Sequence, residues 1–127
     1  MKMIKILSLV FLLAILASCS GSDTYRGLWK ATDSGGNKFE ITFNAKDFDI
    51  KDSAGKSEKY EYTQNSVKIS NSVKTYGIKI ADGRLYRIHF PKSNDDNVGV
   101  ILDGNGNALY AISRKNYITQ EDIYKLQ

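Results

Sequence analysis

The chain has 127 residues, a formal net charge of +4 at pH 7, one histidine and one cysteine. This length suits a single domain with one core. The small excess of positive charge is spread along the sequence, whereas nucleic-acid-binding domains carry a clustered basic face, so we expect no nucleic-acid partner. A single cysteine forms no internal disulfide, and together with one histidine it provides too few ligands for a zinc site.

The N-terminus has the order of a secretion signal. Two lysines precede the apolar run Ile6–Leu16, which has about half of the roughly 20 residues that a transmembrane helix needs. The segment Leu16-Ala17-Ser18-Cys19 resembles the lipobox of bacterial lipoproteins. The resemblance implies that residues 1–18 are a cleaved signal peptide and that Cys19 carries the lipid. An ordinary secretion signal with a cysteine nearby by chance is the alternative.

A flexible tether is predicted over residues 19–24, because Ser20, Gly21 and Ser22 are small and polar. In the lipoprotein family, an Asp directly after the lipidated cysteine favours retention in the inner membrane. Ser20 at this position therefore favours the outer membrane if the host is Gram-negative. The expected location is the cell envelope, and the first expected partner is the membrane, reached through the lipid anchor.

Apolar residues alternate with other residues in runs of about five to eight, which is typical of half-buried strands. Turn sequences rich in Asp, Asn, Ser and Gly separate the runs at 33–37, 52–55, 64–66, 82–83 and 103–107. The alternating residues are Phe39, Ile41 and Phe43; Phe48 and Ile50; Tyr60 and Tyr62; Val67 and Ile69; Tyr76, Ile78 and Ile80; Tyr86, Ile88 and Phe90; Val98, Val100 and Leu102; and Ala108, Tyr110 and Ile112.

Links this short cannot cross a sheet, so neighbouring strands should pair antiparallel. The pattern gives eight or nine strands within a domain spanning residues 25–127. We therefore predict an all-β fold, a small antiparallel up-and-down barrel of about eight strands, because closure removes exposed strand edges. An open, strongly bent sheet is the alternative.

A short C-terminal helix is predicted over residues 119–126. Thr119 suits the N-cap, and Asp122 three residues later completes a capping box. Ile118 and Ile123 have the spacing of a hydrophobic staple. Because so short a helix is marginal alone, we expect packing to order it, on the barrel wall or across one mouth.

The first predicted strand contains Gly27-Leu28-Trp29, which resembles the Gly-x-Trp signature of lipocalins. Lipocalins are antiparallel barrels that often bind small apolar ligands. In that family the tryptophan closes one end of the barrel, and a basic residue near the end of the last strand packs over its ring. The resemblance implies that Trp29 and Arg114 form this barrel-closing pair. A core tryptophan without that role is the alternative.

Five tyrosines fall on the predicted inward face and are the candidate ligand-binding residues. A buried phenol needs a hydrogen-bond partner. These side chains therefore indicate either a pocket for an amphipathic ligand or a filled core whose hydroxyls reach the barrel ends. A barrel of about eight strands has room for little beyond side chains or one small ligand. The five are Tyr60, Tyr62, Tyr76, Tyr86 and Tyr110.

The sequence singles out no catalytic or metal-binding set, so we expect neither an enzyme nor a cofactor. His89 falls on the outward face, and no nucleophile elbow accompanies it. Residues 103–107 mimic the start of a calcium loop, but Ala108 and Arg114 stand where that loop needs glycine and glutamate. A hairpin turn explains this segment without a metal.

Two functions remain open from the sequence. The first is a membrane-anchored, lipocalin-like binding module for a small apolar or amphipathic ligand, which the Gly-x-Trp resemblance and the inward tyrosines favour. The second is a protein-interaction lipoprotein, such as an inhibitor, an immunity protein or an accessory subunit of an envelope complex, which the small size and the missing catalytic set favour. A fully packed interior would argue against the first.

Overall fold

The computed structural model describes residues 20–125, with side chains through residue 123. The predicted signal peptide, 1–18, and Cys19 lie outside these residues. No helix in the described range is long and apolar enough to span a bilayer. The described elements are β1 (Gly27–Asp33), β2 (Lys38–Phe43), β3 (Asp47–Asp52), β4 (Ser57–Ser70), β5 (Val73–Ile80), β6 (Leu85–Phe90), β7 (Val98–Asp103), β8 (Ala108–Ser113) and α1 (Gln120–Lys125).

These strands form one closed barrel in which each strand is antiparallel to its neighbours in chain order. β1 closes the barrel by pairing with β8, so that Lys30 lies opposite Ser113 and Asp33 lies opposite Tyr110. The predicted antiparallel up-and-down barrel with a short C-terminal helix is confirmed. The alternative of an open sheet is wrong, because β1 and β8 satisfy each other's edges.

Strands of alternating direction place the connections at two ends of the barrel. The turns β1–β2, β3–β4, β5–β6 and β7–β8 lie at one end, which we call the open end. The entry of the chain into β1, the other connections and the exit from β8 lie at the opposite end, which we call the closed end. The interior is filled differently at the two ends.

Three turns at the open end share one set of hydrogen bonds. In each, an Asp carboxylate oxygen accepts from the backbone N–H groups two and four residues later, at 2.9 to 3.0 Å. A glycine at positive φ completes each turn. Residues 103–107 are therefore a hairpin turn whose Asp carboxylate is engaged within the turn. The three acids are Asp33, Asp52 and Asp103.

The predicted turn at 64–66 is wrong. β4 continues from Ser57 to Ser70, and its register with β5 shifts between Gln64 and Ser66. The extra residue, Asn65, forms a β-bulge, which switches the alternation so that apolar residues on both sides of it face the same way. The turn lies instead at Asn71 and Ser72, whose φ angles of 54° and 64° suit a two-residue hairpin.

The C-terminal helix packs on the outside of the barrel wall. Ile123 is buried with Val100 and Ala111, and Ile118 packs against the same cluster. The capping box is present, since Thr119 N–H donates to the Asp122 carboxylate at 2.9 Å and Asp122 N–H donates to the Thr119 hydroxyl at 3.2 Å. The helix begins at Gln120 and ends at Lys125, one residue inside each predicted boundary, and residue 126 lies outside the described range.

This helix also covers the outer face of β7. The alternating series Val98, Val100 and Leu102 packs against the helix cluster on the outer wall. Ile101 belongs to the core inside the barrel. Both faces of β7 are covered, so alternation along this strand does not distinguish the interior from the wall.

The described part of the predicted tether, residues 20–24, forms hydrogen bonds with the barrel. Gly21 N–H donates to the carbonyl of Ala45 at 2.7 Å, and Ser22 N–H donates to the side chain of Gln64 at 3.1 Å. A Cβ on Gly21 would lie 1.9 Å from the hydroxyl of Tyr62. The absence of a side chain at Gly21 thus permits a close approach to the barrel, and the small residues serve packing.

Gly99 on β7 provides a test of the packing inside the barrel. A Cβ at this position would lie 2.8 Å from the carbonyl oxygen of His89 and 3.0 Å from the ring of Phe90. We expect Gly99→Ala to lower the free energy of unfolding by about 1–3 kcal/mol through overpacking, measured by urea denaturation. Gly104→Ala is the matched control, since its nearest neighbour would be 3.5 Å away. Its effect should stay within about 0.5 kcal/mol, and equal losses in the two variants would contradict the prediction.

Candidate functional site in the barrel interior

Trp29 and Arg114 meet at the closed end. The indole N–H of buried Trp29 donates to the carbonyl of Tyr25 at 2.8 Å. The guanidinium carbon of Arg114 lies 3.7 Å from the centroid of the Trp29 ring. The same guanidinium donates at 2.8 to 3.3 Å to the backbone carbonyls of Thr24, Arg26 and Leu28.

This arrangement ties the last strand to the segment that leads into the first. Burial lowers the pKa of the Arg114 guanidinium, but an arginine remains charged at any physiological pH. Its charge is balanced by the π face of the indole and by carbonyl dipoles, with no carboxylate in the contact. The structure therefore brings together the two residues expected to close the barrel.

The closed half of the interior is filled with aromatic side chains. Tyr62 donates to the carbonyl of Asn44 at 2.6 Å, and Tyr76 donates to the hydroxyl of Thr24 at 3.0 Å. Burial raises the pKa of Tyr62, so this phenol stays neutral and keeps its proton for that bond. Two of the five candidate tyrosines, Tyr62 and Tyr76, are thus core residues with satisfied hydroxyls. They pack around Tyr25, whose ring centroid is 5.2 Å from that of Tyr76.

The open half contains a cavity of about 150 Å³. The other three candidate tyrosines lie on its wall, with Arg84 beside them at the rim. Aliphatic and aromatic side chains form the rest of the lining. The lining residues are Ile41, Phe43, Phe48, Ile50, Tyr60, Ile78, Ile80, Arg84, Tyr86, Ile101, Leu109 and Tyr110.

Arg84 organises one side of this rim. Its guanidinium donates to the hydroxyl of Tyr86 at 3.0 Å and lies 5.5 Å from the ring centroid of Tyr60. Asp82 holds it in an exposed ion pair at 2.8 Å. Tyr60 donates to Glu58, and this hydrogen bond raises the pKa of the Tyr60 phenol. The phenols of Tyr60 and Tyr86 are therefore already engaged by protein partners.

Tyr110 differs from its neighbours. Its ring packs edge-on against Phe39, with 5.5 Å between the centroids. Within the described range, no hydrogen bond reaches its hydroxyl, whereas the other candidate tyrosines all have one. Burial raises the pKa of Tyr110, and the nearby charge of Asp33 raises it further. At neutral pH the phenol is protonated and has an unused donor at the wall of the cavity.

A wider depression of about 780 Å³ lies outside the barrel beside Ser20. Lys46, Asp47, Glu61 and Lys79 contribute to its lining. It is open to solvent, and Tyr62 is the one candidate tyrosine in its lining. Ligand sites are usually concave and mostly apolar, so the interior cavity is the better candidate despite its smaller volume.

The described residues contain no group of three or more His, Cys, Asp or Glu side chains placed to hold a metal ion. His89 lies on the outer face, and its Nδ1 is 2.7 Å from the hydroxyl of Thr75. Burial lowers the pKa of His89, and the neighbouring Arg87 lowers it further. The ring is neutral near pH 7 and forms a cross-strand pair with Thr75.

Two lining residues were missed by sequence reasoning. Leu109 lies at the register irregularity between β7 and β8, where Ile101 pairs with Tyr110 and Leu102 pairs with Ala108. The bulge turns Leu109 toward the cavity, against the simple alternation. Arg84 belongs to the β5–β6 turn, and an arginine in a turn is normally read as solvated. Its position two residues before Tyr86 was the available signal, because i and i+2 share a strand face.

Comparisons of the chain with family models, with curated proteins and with solved structures gave no match.

The contact of Arg114 with Trp29 leads to a stability prediction. Arg114→Lys keeps the positive charge but removes the planar fork that reaches three carbonyls and covers the ring. We expect a loss of about 2–3 kcal/mol in the free energy of unfolding, from charged hydrogen bonds and the cation–π contact together. Lys115→Arg, at the exposed next residue, is the control and should change stability by less than about 0.5 kcal/mol. Equal urea midpoints for the parent protein and Arg114→Lys would show that the contact is dispensable.

His89 leads to a prediction about pH. Because its folded-state pKa is lowered, the unfolded chain binds the proton more readily, with a pKa of about 6.5. The contribution of His89 to stability is therefore complete above about pH 6.5 and is lost as the pH falls through the folded-state pKa. Urea midpoints of the parent protein should fall relative to those of His89→Gln as the pH is lowered. Parallel pH profiles for the two proteins would contradict this assignment.

Proposed function

We propose that this protein is an envelope lipoprotein, anchored through a lipidated Cys19, whose lipocalin-like barrel binds one small apolar or amphipathic molecule through its open end. In a Gram-negative host the anchor would lie in the outer membrane. The observation that carries the binding proposal is the cavity of about 150 Å³ above a closed aromatic floor. The lipobox resemblance at Leu16–Cys19 carries the proposed anchoring.

The size of the cavity limits the class of ligand. Sites for drug-sized molecules usually measure about 300–1,000 Å³, whereas an apolar cavity of about 150 Å³ holds one benzene-sized molecule. The ligand that fits is a single ring or a short alkyl chain, and a full-length acyl chain is too large. The lining favours the same class, since most of it is isoleucine, phenylalanine and tyrosine carbon.

The rim adds a requirement for one polar group. Tyr110 presents a protonated phenol without a protein partner within the described range, and Arg84 lies across the cavity rim beside Tyr86. A hydroxyl or carbonyl oxygen on the ligand could accept a hydrogen bond from Tyr110 while the apolar part enters the cavity. This combination favours a small amphipathic ligand over a hydrocarbon.

A matched pair of probes tests the binding proposal. Toluene and p-cresol differ by one hydroxyl group, and the molecular volume of each is close to that of the cavity. With the lipoprotein in phosphatidylcholine vesicles, saturation-transfer NMR should show p-cresol binding more tightly than toluene. Tyr110→Phe should weaken p-cresol by roughly 2- to 10-fold, the value of one hydrogen bond, and leave toluene unchanged.

Cavity filling supplies the control for partition into the vesicles. Ile50→Phe adds volume to the cavity wall and should abolish binding of both probes. Leu85→Phe makes a comparable addition at a side chain that is half exposed outside the cavity, and it should bind as the parent protein does. Equal signals from the parent protein and Ile50→Phe would mean that the interior takes no ligand, which would favour a protein-interaction role.

A further inference from the structure

One strand, β4, extends past its neighbour β3 at the closed end. β4 has 14 residues and pairs with β3 only as far as Glu61, after which it pairs with β5 alone. We call residues 65–74, with their turn at Asn71 and Ser72, the β4–β5 arm. β5 is paired with β6 from Lys74 onward, so the arm is joined to the barrel through β5 and has a free edge along β4.

The β6–β7 loop adds contacts to the arm. Ser93 donates through its hydroxyl to the carbonyl of Asn71 at 2.9 Å, and Asn94 N–H donates to the carbonyl of Ser72 at 3.2 Å. Lys74 also pairs with Asp96 at 2.8 Å. The tip of the arm is thereby fixed to the barrel, and the surface it presents is a stable feature of the fold.

Two of the exposed side chains of the arm are large and apolar. Val67 and Ile69 are 53% and 60% exposed, the highest values among the large apolar side chains described. They are two residues apart on one strand and so share a face. Leu28, which is 49% exposed, also lies at the closed end, where β1 begins. Isolated exposed apolar residues are ordinary, but three of the four among the described residues lie at the closed end, and Leu85 alone lies at the open end.

The chain enters the barrel beside the root of this arm. Ser22 is bonded to Gln64 on β4, and Thr24 is bonded to Tyr76, which pairs with Val67. Cys19 is two residues before Gly21, whose position is fixed by its bond to Ala45. Two residues span at most about 7 Å, so acyl chains on Cys19 would hold the lipid surface next to the arm.

The charges at this end suit an anionic lipid surface. Basic side chains outnumber acidic ones among the described residues of the entry segment, the closed-end connections and the exit from β8. Lysine and arginine side chains near an anionic bilayer are attracted to its surface. The basic residues are Arg26, Lys46, Lys68, Lys74, Lys92, Arg114 and Lys115, and the acidic ones are Asp23, Asp47, Asp95 and Asp96.

We propose that the β4–β5 arm docks on the lipid bilayer, with Val67 and Ile69 at the boundary between headgroups and acyl chains and with Lys68 facing lipid phosphates. The docking rests on the proposed lipid anchor at Cys19. Two partly buried aliphatic side chains are too weak an anchor alone, so the arm orients a barrel that the acyl chains already hold. The open end then faces away from the membrane, and ligands reach the cavity from the aqueous side.

Environment-sensitive labels at the two ends of the barrel test this orientation. In the acylated protein Cys19 has no free thiol, so Ile69→Cys and Asn105→Cys each provide a single site for a nitrobenzoxadiazole dye. Asn105 lies in the β7–β8 turn at the open end and is the matched control. In vesicles of phosphatidylcholine and phosphatidylglycerol, the dye at position 69 should shift its emission to the blue and be quenched by nitroxide lipids. The dye at position 105 should show neither effect.

Each other result overturns the proposal in a recognisable way. If mass spectrometry shows acylated Cys19 and the dye at position 69 still reports water, docking is wrong while the anchor stands. A blue shift that nitroxide lipids do not quench, and that grows with protein density, means that a second copy covers the arm. If Cys19 is not acylated, the anchor and the docking fail together. Ligand binding is measured separately by the p-cresol and toluene pair.

Discussion

The guanidinium of Arg114 over the indole of Trp29 is the contact on which the rest of the barrel depends. It lies beside the seam between the first and last strands, where the chain must bring together segments far apart in sequence. Bringing such segments together costs loop-closure entropy, and a charged fork with three carbonyl acceptors and an aromatic face offsets it. The aromatic residues stacked above this contact form a floor, and the space above the floor remains partly empty.

Much of the barrel could be predicted because its signals are local. Alternation with period two marks strands, and Asp followed by Gly marks tight turns, whatever the rest of the chain does. The errors arise where tertiary contacts decide. Asn65 is a residue type that is common in turns, but the pairing of β4 with β5 makes it a β-bulge. The inward face of β7 depends on the C-terminal helix, which covers the outer face and hides the difference between wall and interior.

The candidate site could be predicted from the sequence only as far as local alternation determines it. The two-residue alternation along each strand placed five tyrosines on the inner face, and all of them belong to the core or pack against it. It could not say which phenols reach a partner: Tyr62 and Tyr76 do so in the filled half, whereas Tyr110 has no hydrogen-bond partner among the described residues. The volume of the cavity is the small difference between the volume that the barrel encloses and the summed volume of the side chains that fill it. Such a difference depends on shear and on bulges such as the one at Leu109, which a sequence pattern does not report.

The open end has four connections of four residues each, and in each turn an Asp carboxylate accepts a backbone N–H of that turn. None is long enough to fold over the cavity. For a ligand of the proposed class, the aperture is therefore rigid, and passage depends on side-chain rotation at Arg84 and its neighbours. Exposed side chains change rotamer in picoseconds to nanoseconds, well before a loop could open and close. A ligand of the proposed class would therefore exchange quickly, with its dwell time set by affinity and not by a closing lid.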